Sequence, residues 1–203
     1  MYATVVKRLL FLTGNAGKLA EASHFFEPLG YQVEQFLIDG EVPIVGEPQS
    51  DSLKDVAIAK IEQAKALFNQ TGQDAAIFVE DAGLFIDELS GFPGVNSASV
   101  LNQIGLSGIL NLMSETINRG AEFRAQAVLF TGDELVFGEG VCRGSITSET
   151  LGESGFGYDP IFSPEGEDSG RTFGQMNKTE KEAFSHRGKA LESIKKQLDL
   201  LGR

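Results

Sequence analysis

Two adjacent carboxylates in the middle of the chain, Glu80 and Asp81, are the residues best suited to chemistry. They follow the apolar run Ile77-Phe78-Val79 and precede Ala82 and Gly83. A buried strand that ended here, at the rim of a sheet, would leave Asp81 facing a cleft, where its oxygens could bind a divalent metal ion. Alternatively, Asp81 is a solvated residue in a strand-end turn. The stretch is compatible with both interpretations.

A second candidate lies near the N-terminus, where an apolar strand, a glycine-containing turn and a helix are predicted over 8–13, 14–17 and 18–26. Free N–H groups and the positive end of such a helix can bind a phosphate, and Lys18 adds a full charge. A Walker loop is excluded, because only two residues separate the glycines of the turn and Leu19 follows Lys18. A plain turn with a surface lysine is the alternative.

The elements that would position these groups follow in α/β order. The patterns predict a strand over 31–38, a polar loop over 40–52 and a helix over 53–69. One or two helices over 101–117, broken near 105–108, and a hairpin over 122–130 and 135–142 are predicted next. A polar mobile segment over 166–177 and a C-terminal helix from 179 or 185 to 200 complete the predicted order. This order predicts a mixed sheet flanked by helices and is compatible with two lobes that enclose a cleft.

Two later segments could recognise a ligand. Residues 152–162 contain three glycines and three aromatic residues, a composition that allows close backbone approach and stacking on a flat base. The alternative is a tight loop whose aromatic rings fill the core. The pair His186-Arg187, near Lys178 and Lys181, could bind an anion or a carbonyl oxygen, or could be an ordinary surface pair at a helix start.

Composition limits the classes of partner. With 17 basic and 29 acidic residues the net charge is −12, which argues against a nucleic-acid partner but allows a small anion accompanied by a divalent cation. The apolar run at 9–12 is too short for a signal peptide or a membrane span, so we expect a soluble cytoplasmic protein with no membrane partner. Cys142 is the only cysteine, which excludes an intrachain disulfide and a cysteine-rich zinc site.

Taken together, four segments resemble the inosine triphosphate pyrophosphatase family in order and separation. They are Thr13 to Lys18, Glu80 to Leu84 with Gly91 to Gly94, Gly155 to Phe162, and Ser185 to Leu191. The resemblance covers most of the chain and implies a single ITPase-like α/β domain, 1–203, made of two lobes with a nucleotide cleft between them and usually paired as a homodimer. It also implies Mg²⁺-dependent hydrolysis of ITP, dITP and XTP to the monophosphate and pyrophosphate, which clears deaminated purine nucleotides from the pool.

The same resemblance implies residue roles. Asp81 would be the catalytic proton acceptor and, with Glu47, a metal ligand; Glu41, Asp51 and Glu80 are alternatives to Glu47. Phosphate contacts would come from Thr13, Gly14, Asn15, Lys18, Lys60 and the backbone of Ala82, and nucleotide contacts from Phe156, Gly157, Tyr158, Asp159, Lys181, His186 and Arg187. Two positions depart from the family pattern, because Ala82 stands where Ser is common and Asn96 stands where Tyr often follows the Pro-Gly pair.

Two alternatives to a purine pyrophosphatase remain at this stage. One is a related enzyme that acts on modified pyrimidine nucleotides, which the segments at 156–159 and 185–187 disfavour. The other is a nucleotide-binding protein without catalytic activity, which the presence of both Asp81 and Glu47 disfavours. In the enzyme, Asp81 could accept the proton of the attacking water directly or could hold a metal-bound water.

Overall fold

The computed structural model describes residues 7–69 and 74–201, and within these ranges six strands form one mixed sheet. The strands are β1 (Lys7–Phe11), β2 (Tyr31–Gln35), β3 (Ala76–Ile86), β4 (Gly120–Phe130), β5 (Leu135–Ile146) and β6 (Phe162–Pro164). The α-helices are α1 (Ala16–Phe26), α2 (Leu53–Phe68), α3 (Ser97–Leu112), α4 (Lys178–Glu182) and α5 (His186–Leu200). Most predicted elements are therefore present, with their ends moved by a few residues.

The strand order confirms the predicted mixed sheet. From one edge to the other it runs β2-β1-β3-β4-β5-β6. β1 pairs in parallel with both neighbours, with Leu9 opposite Val33 on β2 and opposite Ala76 on β3. β5 and β6 pair antiparallel, with Ser145 opposite Ser163. The connections from β1 to β2 and from β2 to β3 contain α1 and α2, as parallel pairing requires.

The chain divides into two compact units. Unit 1 contains the chain up to Asp81 together with Gln126–Glu139 and the C-terminal part from Ala190, and unit 2 contains Ala82–Ala125 and Gly140–Lys189. Each unit buries its own apolar cluster. Unit 1 packs Leu10, Leu12, Phe36, Ala57, Ile61, Ala64, Phe68, Ile77, Val79 and Val128 together. Unit 2 does the same with residues that include Leu84, Ile86, Ile109, Phe123, Cys142, Tyr158, Phe162 and Phe173. The cleft expected between two lobes stays a prediction.

The central strand differs from the expectation. β3 does not end at Asp81 but continues to Ile86, so the prediction of a strand-end turn at Asp81 is wrong. The strand continues because Leu84 and Ile86 are fully buried in the core of unit 2. Gly83 is required within it, because a side chain there would collide with the backbone oxygen of Gly94. Asp81 is therefore held by regular strand backbone on both sides.

Two further expectations can be scored. The predicted break in the helices after residue 101 is confirmed at Gly105, whose φ of 65° and ψ of −172° interrupt α3. The prediction of a mobile segment over 166–177 is wrong for its second half, where Thr172, Phe173 and Met176 are buried. Phe173 packs against the ring of Phe162 there, at 5.3 Å between centroids. Within the described ranges, no helix is long and apolar enough to cross a membrane.

Candidate active site

Three charged side chains of unit 1 meet at Lys60. Its Nζ lies 2.7 Å from Asp81 Oδ1 and 2.7 Å from Glu47 Oε1. Lys60 belongs to α2, Asp81 to β3, and Glu47 to the loop between β2 and α2. An ammonium group therefore bridges the two carboxylates predicted to bind the metal.

The two carboxylates differ in their exposure. The side chain of Asp81 is 12% exposed, whereas that of Glu47 is 58% exposed. The second oxygen of Asp81, Oδ2, is buried and makes no hydrogen bond with any residue that the structure describes. A buried polar atom without a partner costs about 1–3 kcal/mol, and in a native protein it requires an explanation, such as a bound ion or a catalytic role. Asp81 Oδ2 is thus a candidate ligand atom held in place by β3.

Burial controls the ionisation of this cluster. Burial raises the pKa of Asp81, although the positive charges of Lys60 and Lys18 oppose the change. Burial also acts to lower the pKa of Lys60, but Asp81 and Glu47 outweigh it, so that the pKa of Lys60 lies above its usual value. Lys60 is therefore charged at neutral pH, and Asp81 takes up a proton more readily than an ordinary aspartate.

Gln63 fixes the loop that carries Glu47, and it was not predicted as a site residue. Its side-chain amide donates to Gly46 O at 2.7 Å and accepts from Gly46 N at 2.8 Å. Gly46 immediately precedes Glu47, and Gln63 lies three residues after Lys60 on the same side of α2. The helical spacing of the two residues was a usable sequence signal, but nothing in the sequence pointed to the backbone of the loop.

The turn before α1 differs from the expected phosphate-binding turn. The Asn15 side chain caps the helix by accepting from the N–H groups of Gly17 and Lys18, at 2.9 and 3.1 Å. The expectation that the N–H groups of this helix start are free is therefore wrong for these two, because an asparagine at the cap position satisfies them. Thr13 Oγ1 accepts from Asn15 N at 3.1 Å and stabilises the same turn.

Lys18 still brings a positive charge toward the carboxylates of β3. Its Nζ lies 3.3 Å from Glu80 Oε1, and the side chain of Glu80 is fully buried. Because Lys18 also opposes the rise in the pKa of Asp81, it acts electrostatically on both neighbouring carboxylates. α1 and α2 each contribute one lysine to this part of β3.

In unit 2, Asp159 organises the segment rich in glycine and aromatic residues. Its Oδ2 accepts from Lys181 Nζ and from the backbone N–H of Phe156, both at 2.7 Å. The side chains of the ion pair are only 11% and 4% exposed. Gly155 has a φ of 79°, and a side chain there would collide with the carboxylate of Asp159, so only glycine fits this turn.

The cationic residues of unit 2 surround the ring of Phe156. Lys181 Nζ lies 4.6 Å from the centre of that ring, and the guanidinium carbon of Arg187 lies 5.5 Å from it. Arg187 is buried, as is His186, whose ring stacks on Phe123 at 4.8 Å. The expectation of an ordinary surface pair at 186–187 is therefore wrong.

Tyr158 is packed differently from Phe156. Its hydroxyl donates to Ser97 O at 2.8 Å, and the residue is part of the core of unit 2. Burial raises the pKa of Tyr158 to about 12, so the phenol stays neutral. Of the two aromatic residues, Tyr158 therefore fills the core, as the alternative interpretation of this segment expected, whereas Phe156 lies among the cations.

The predicted site residues fall into two groups by unit. Unit 1 holds Thr13, Gly14, Asn15, Lys18, Glu47, Lys60 and Asp81, and unit 2 holds Ala82, Phe156, Gly157, Tyr158, Asp159, Lys181, His186 and Arg187. Direct contacts connect Glu47, Lys60 and Asp81 in the first group and Phe156, Asp159 and Lys181 in the second. The catalytic and binding roles implied for these residues stay predictions.

A metal ion could use the carboxylates of unit 1. Within the described ranges, no cluster of three or more His, Cys, Asp and Glu side chains could hold one. Mg²⁺ is commonly held by only one or two carboxylates, with waters and substrate phosphates as its other ligands. Asp81, with its unsatisfied Oδ2, and Glu47, joined to it by a cation, fit that requirement.

Comparison with known proteins identifies the family of this chain. A model of the Ham1 family matches residues 9–197. The chain belongs to the Ham1 family. It is 42% identical over 187 residues to a dITP/XTP pyrophosphatase of Thermococcus kodakarensis, a match that covers 92% of this chain and 95% of the relative. A protein of the same name from Methanopyrus kandleri is 45% identical over 186 residues, with 91% and 93% covered.

Solved structures show the same fold. The Ham1 protein of Coxiella burnetii superposes with a TM-score of 0.80 at 28% identity, and that of Staphylococcus aureus with a TM-score of 0.77 at 28% identity. Both comparisons cover 95% of this chain and 98% of the other. The α/β fold with a mixed sheet is therefore confirmed.

Proposed function

We propose that this chain is a Mg²⁺-dependent pyrophosphohydrolase that converts ITP, dITP and XTP to the monophosphate and pyrophosphate. It is a hydrolase acting on nucleoside triphosphates, as the names of its relatives indicate. Its biological role would be to remove deaminated purine nucleotides before polymerases use them. On the same family resemblance we propose a cytoplasmic homodimer, and light scattering on the purified protein tests the dimer.

One observation carries the proposal: Asp81 is a buried carboxylate with one oxygen on Lys60 and the other unsatisfied. Most buried polar atoms in native proteins have a hydrogen-bond partner, so a buried carboxylate oxygen without one is a candidate atom for binding a ligand. The raised pKa of Asp81 also suits a group that takes a proton from water.

In the proposed reaction each residue has a limited task. Asp81 and Glu47 would hold Mg²⁺, which, when bound, neutralises phosphate charge and polarises the phosphoryl group. Lys18 and Lys60 would bind phosphate oxygens and stabilise the charge that develops on them. Asp81 would accept the proton of the attacking water, and the monophosphate and pyrophosphate would leave as products.

Recognition of the base would depend on unit 2. Hypoxanthine and xanthine have an acceptor oxygen at position six, whereas adenine has an amino donor. Arg187 has only donors and lies near Phe156, whose ring offers a surface for stacking. We therefore expect ITP and XTP to be better substrates than GTP, and GTP to be equal to or better than ATP. Guanine shares the six-position oxygen, so its rejection would depend on the two-amino group.

The direct test is the release of pyrophosphate from ITP, XTP, dITP, GTP and ATP, with Mg²⁺ and with a chelator. Release from ITP and XTP that stops on chelation supports the proposal. Binding of ITP without release would indicate a silent nucleotide-binding protein. Preferential release from a modified pyrimidine triphosphate would indicate the related pyrimidine enzyme instead.

A further inference from the structure

Lys60 occupies the position of a counterion between two residues that we propose as metal ligands. Its Nζ is 2.7 Å from Asp81 Oδ1 and 2.7 Å from Glu47 Oε1. A divalent ion held by Asp81 Oδ2 and by Glu47 would lie within several ångströms of the ammonium, because Lys60 contacts the same two carboxylates. Two cations at that separation repel each other strongly in a partly buried site. While the ammonium keeps this position, it therefore weakens the binding of a metal ion to these carboxylates.

The surroundings show which partner can move. α2 is fixed, because Ile61 and Ala64, which directly follow Lys60 and Gln63 in the chain, are fully buried. The long side chain of Lys60 is 16% exposed, and the carboxylate of Glu47 that it contacts is more than half exposed. The ammonium can therefore leave Asp81 by rotation of its own side chain, without a change in the helix or in β3.

We propose that Lys60 is an exchangeable counterion that couples metal binding to nucleotide binding. This inference rests on the proposed function and deepens it. Without nucleotide, Lys60 neutralises Asp81 and Glu47 and so weakens the binding of a divalent ion. A triphosphate offers new oxygens to the ammonium, which then moves to the phosphates and releases both carboxylates to the metal. Metal and nucleotide therefore bind more tightly together than either does alone, and the coupling is reciprocal.

The first measurement is a titration of the nucleotide-free protein with Mn²⁺, in which electron paramagnetic resonance reports the bound ion. We expect Lys60→Gln to bind Mn²⁺ at least tenfold more tightly than the parent, and Lys60→Arg, which keeps the charge, to bind as weakly as the parent. Lys65→Gln is the matched control, because Lys65 is on the same helix and pairs with Glu62. Adding Asp81→Asn to Lys60→Gln should abolish the gain. If Lys60→Gln does not fold, Lys60→Met replaces it.

The second measurement is the same titration with a non-hydrolysable ITP analogue. In the parent the analogue should tighten Mn²⁺ binding at least tenfold, and in Lys60→Gln it should tighten it much less. Equal Mn²⁺ affinity in the parent and the neutral variants, or equal coupling in both, would overturn the exchange. If those results came with Mg²⁺-dependent pyrophosphate release from ITP by the parent, the proposed function would stand and only the role of Lys60 would fall. Absence of release in the parent would instead remove the proposed function.

Discussion

Asp159 and Lys181 form a buried ion pair, in which Lys181 Nζ donates to Asp159 Oδ2 at 2.7 Å. The same oxygen accepts from Phe156 N, so one carboxylate positions both the ammonium and the aromatic ring beneath it. Lys181 is thereby held against the ring rather than exposed to water. Asp159 is best understood as a positioning residue for the proposed base-binding segment.

Replacing Asp159 should therefore affect both stability and binding. Asp159→Asn leaves Lys181 buried without its carboxylate, and we expect a loss of about 3 kcal/mol in the free energy of unfolding, measured in urea. KM for ITP should rise more than kcat falls, because Lys181 is no longer held against the ring of Phe156. Glu153→Gln, at an exposed position in the same segment, is the control. An unchanged KM would show that Asp159 has only a structural role.

Asp81→Asn should abolish turnover and stabilise the fold. A neutral amide is a poor Mg²⁺ ligand and a poor proton acceptor, so kcat should fall at least about a hundredfold. Because the pKa of Asp81 is raised in the folded protein, its contribution to stability is present below the unfolded pKa and is lost as the pH rises through the folded pKa. The asparagine side chain does not titrate, so the variant does not lose stability in this way as the pH rises.

Thermal melts of the parent and of Asp81→Asn across a pH series test whether the stability contribution of Asp81 falls as the pH rises. The two proteins should melt at similar temperatures in acid, and the variant should become progressively more stable than the parent toward pH 7. Near-full activity of the variant, or a stability gap that narrows as the pH rises, would contradict the role given to Asp81.

Gln63→Ala should weaken metal binding, although Gln63 is not itself a proposed metal ligand. Loss of both bonds to Gly46 frees the loop that carries Glu47, and we expect the Mg²⁺ concentration for half-maximal rate to rise about fivefold, equivalent to about 1 kcal/mol. Glu47→Gln should raise it further, because it removes the ligand itself. Gln103→Ala, on the exposed face of α3, should leave it unchanged. A shift in Glu47→Gln alone would limit the role of Gln63 to folding.

Lys18→Ala should weaken turnover without altering the choice of base, because a phosphate contact carries no information about the base. It also leaves the buried Glu80 without this ammonium, so some loss of thermal stability is expected. The informative quantity is the ratio of kcat/KM for ITP to that for ATP, which should match the parent. Lys65→Ala should change neither activity nor ratio. A variant of Lys18 that accepted ATP and ITP equally would place Lys18 in base recognition.

Arg187→Ala should reduce base selectivity. In a complex with ATP, the amino group of adenine would leave donors of Arg187 and of the backbone without an acceptor. Two such donors would cost about 1–3 kcal/mol each, so the parent should favour ITP over ATP by roughly a hundredfold in kcat/KM. The variant should lose most of that ratio. Because Arg187 is buried near Phe156, a melting curve must accompany the kinetics. Comparable ATP and ITP rates in the parent, or a ratio that survives the substitution, would reject this explanation.

The fold was largely predictable because its signals are local. Apolar runs marked the strands, and the apolar residues spaced three or four positions apart in α2, such as Val56, Ala57, Ile61, Ala64 and Phe68, are the ones that this helix buries. The end of β3 was missed because Asp81 and Gly83 are typical of turns, whereas burial of Leu84 and Ile86 decides the matter. That information comes from tertiary packing and is absent from local propensity.

The site was predictable in composition but not in its internal contacts. Residue types indicated Asp81 and Lys18, and the family resemblance supplied Glu47 and Lys60. No local pattern indicated that Lys60 bridges the two carboxylates, that Asn15 satisfies the start of α1, or that Asp159 anchors Phe156. These contacts join segments far apart in the chain or choose between competing hydrogen-bond acceptors.

The position of Lys60 and Gln63 on α2 limits how this protein can evolve. Each residue of an α-helix is rotated by about 100° from the previous one, so a single insertion or deletion early in α2 would turn either these two side chains or the buried stripe to the wrong side. Substitutions on the exposed positions, such as Glu62, leave the rotation unchanged. A change in chain length between Ser52 and Asn69 is therefore incompatible with the proposed activity.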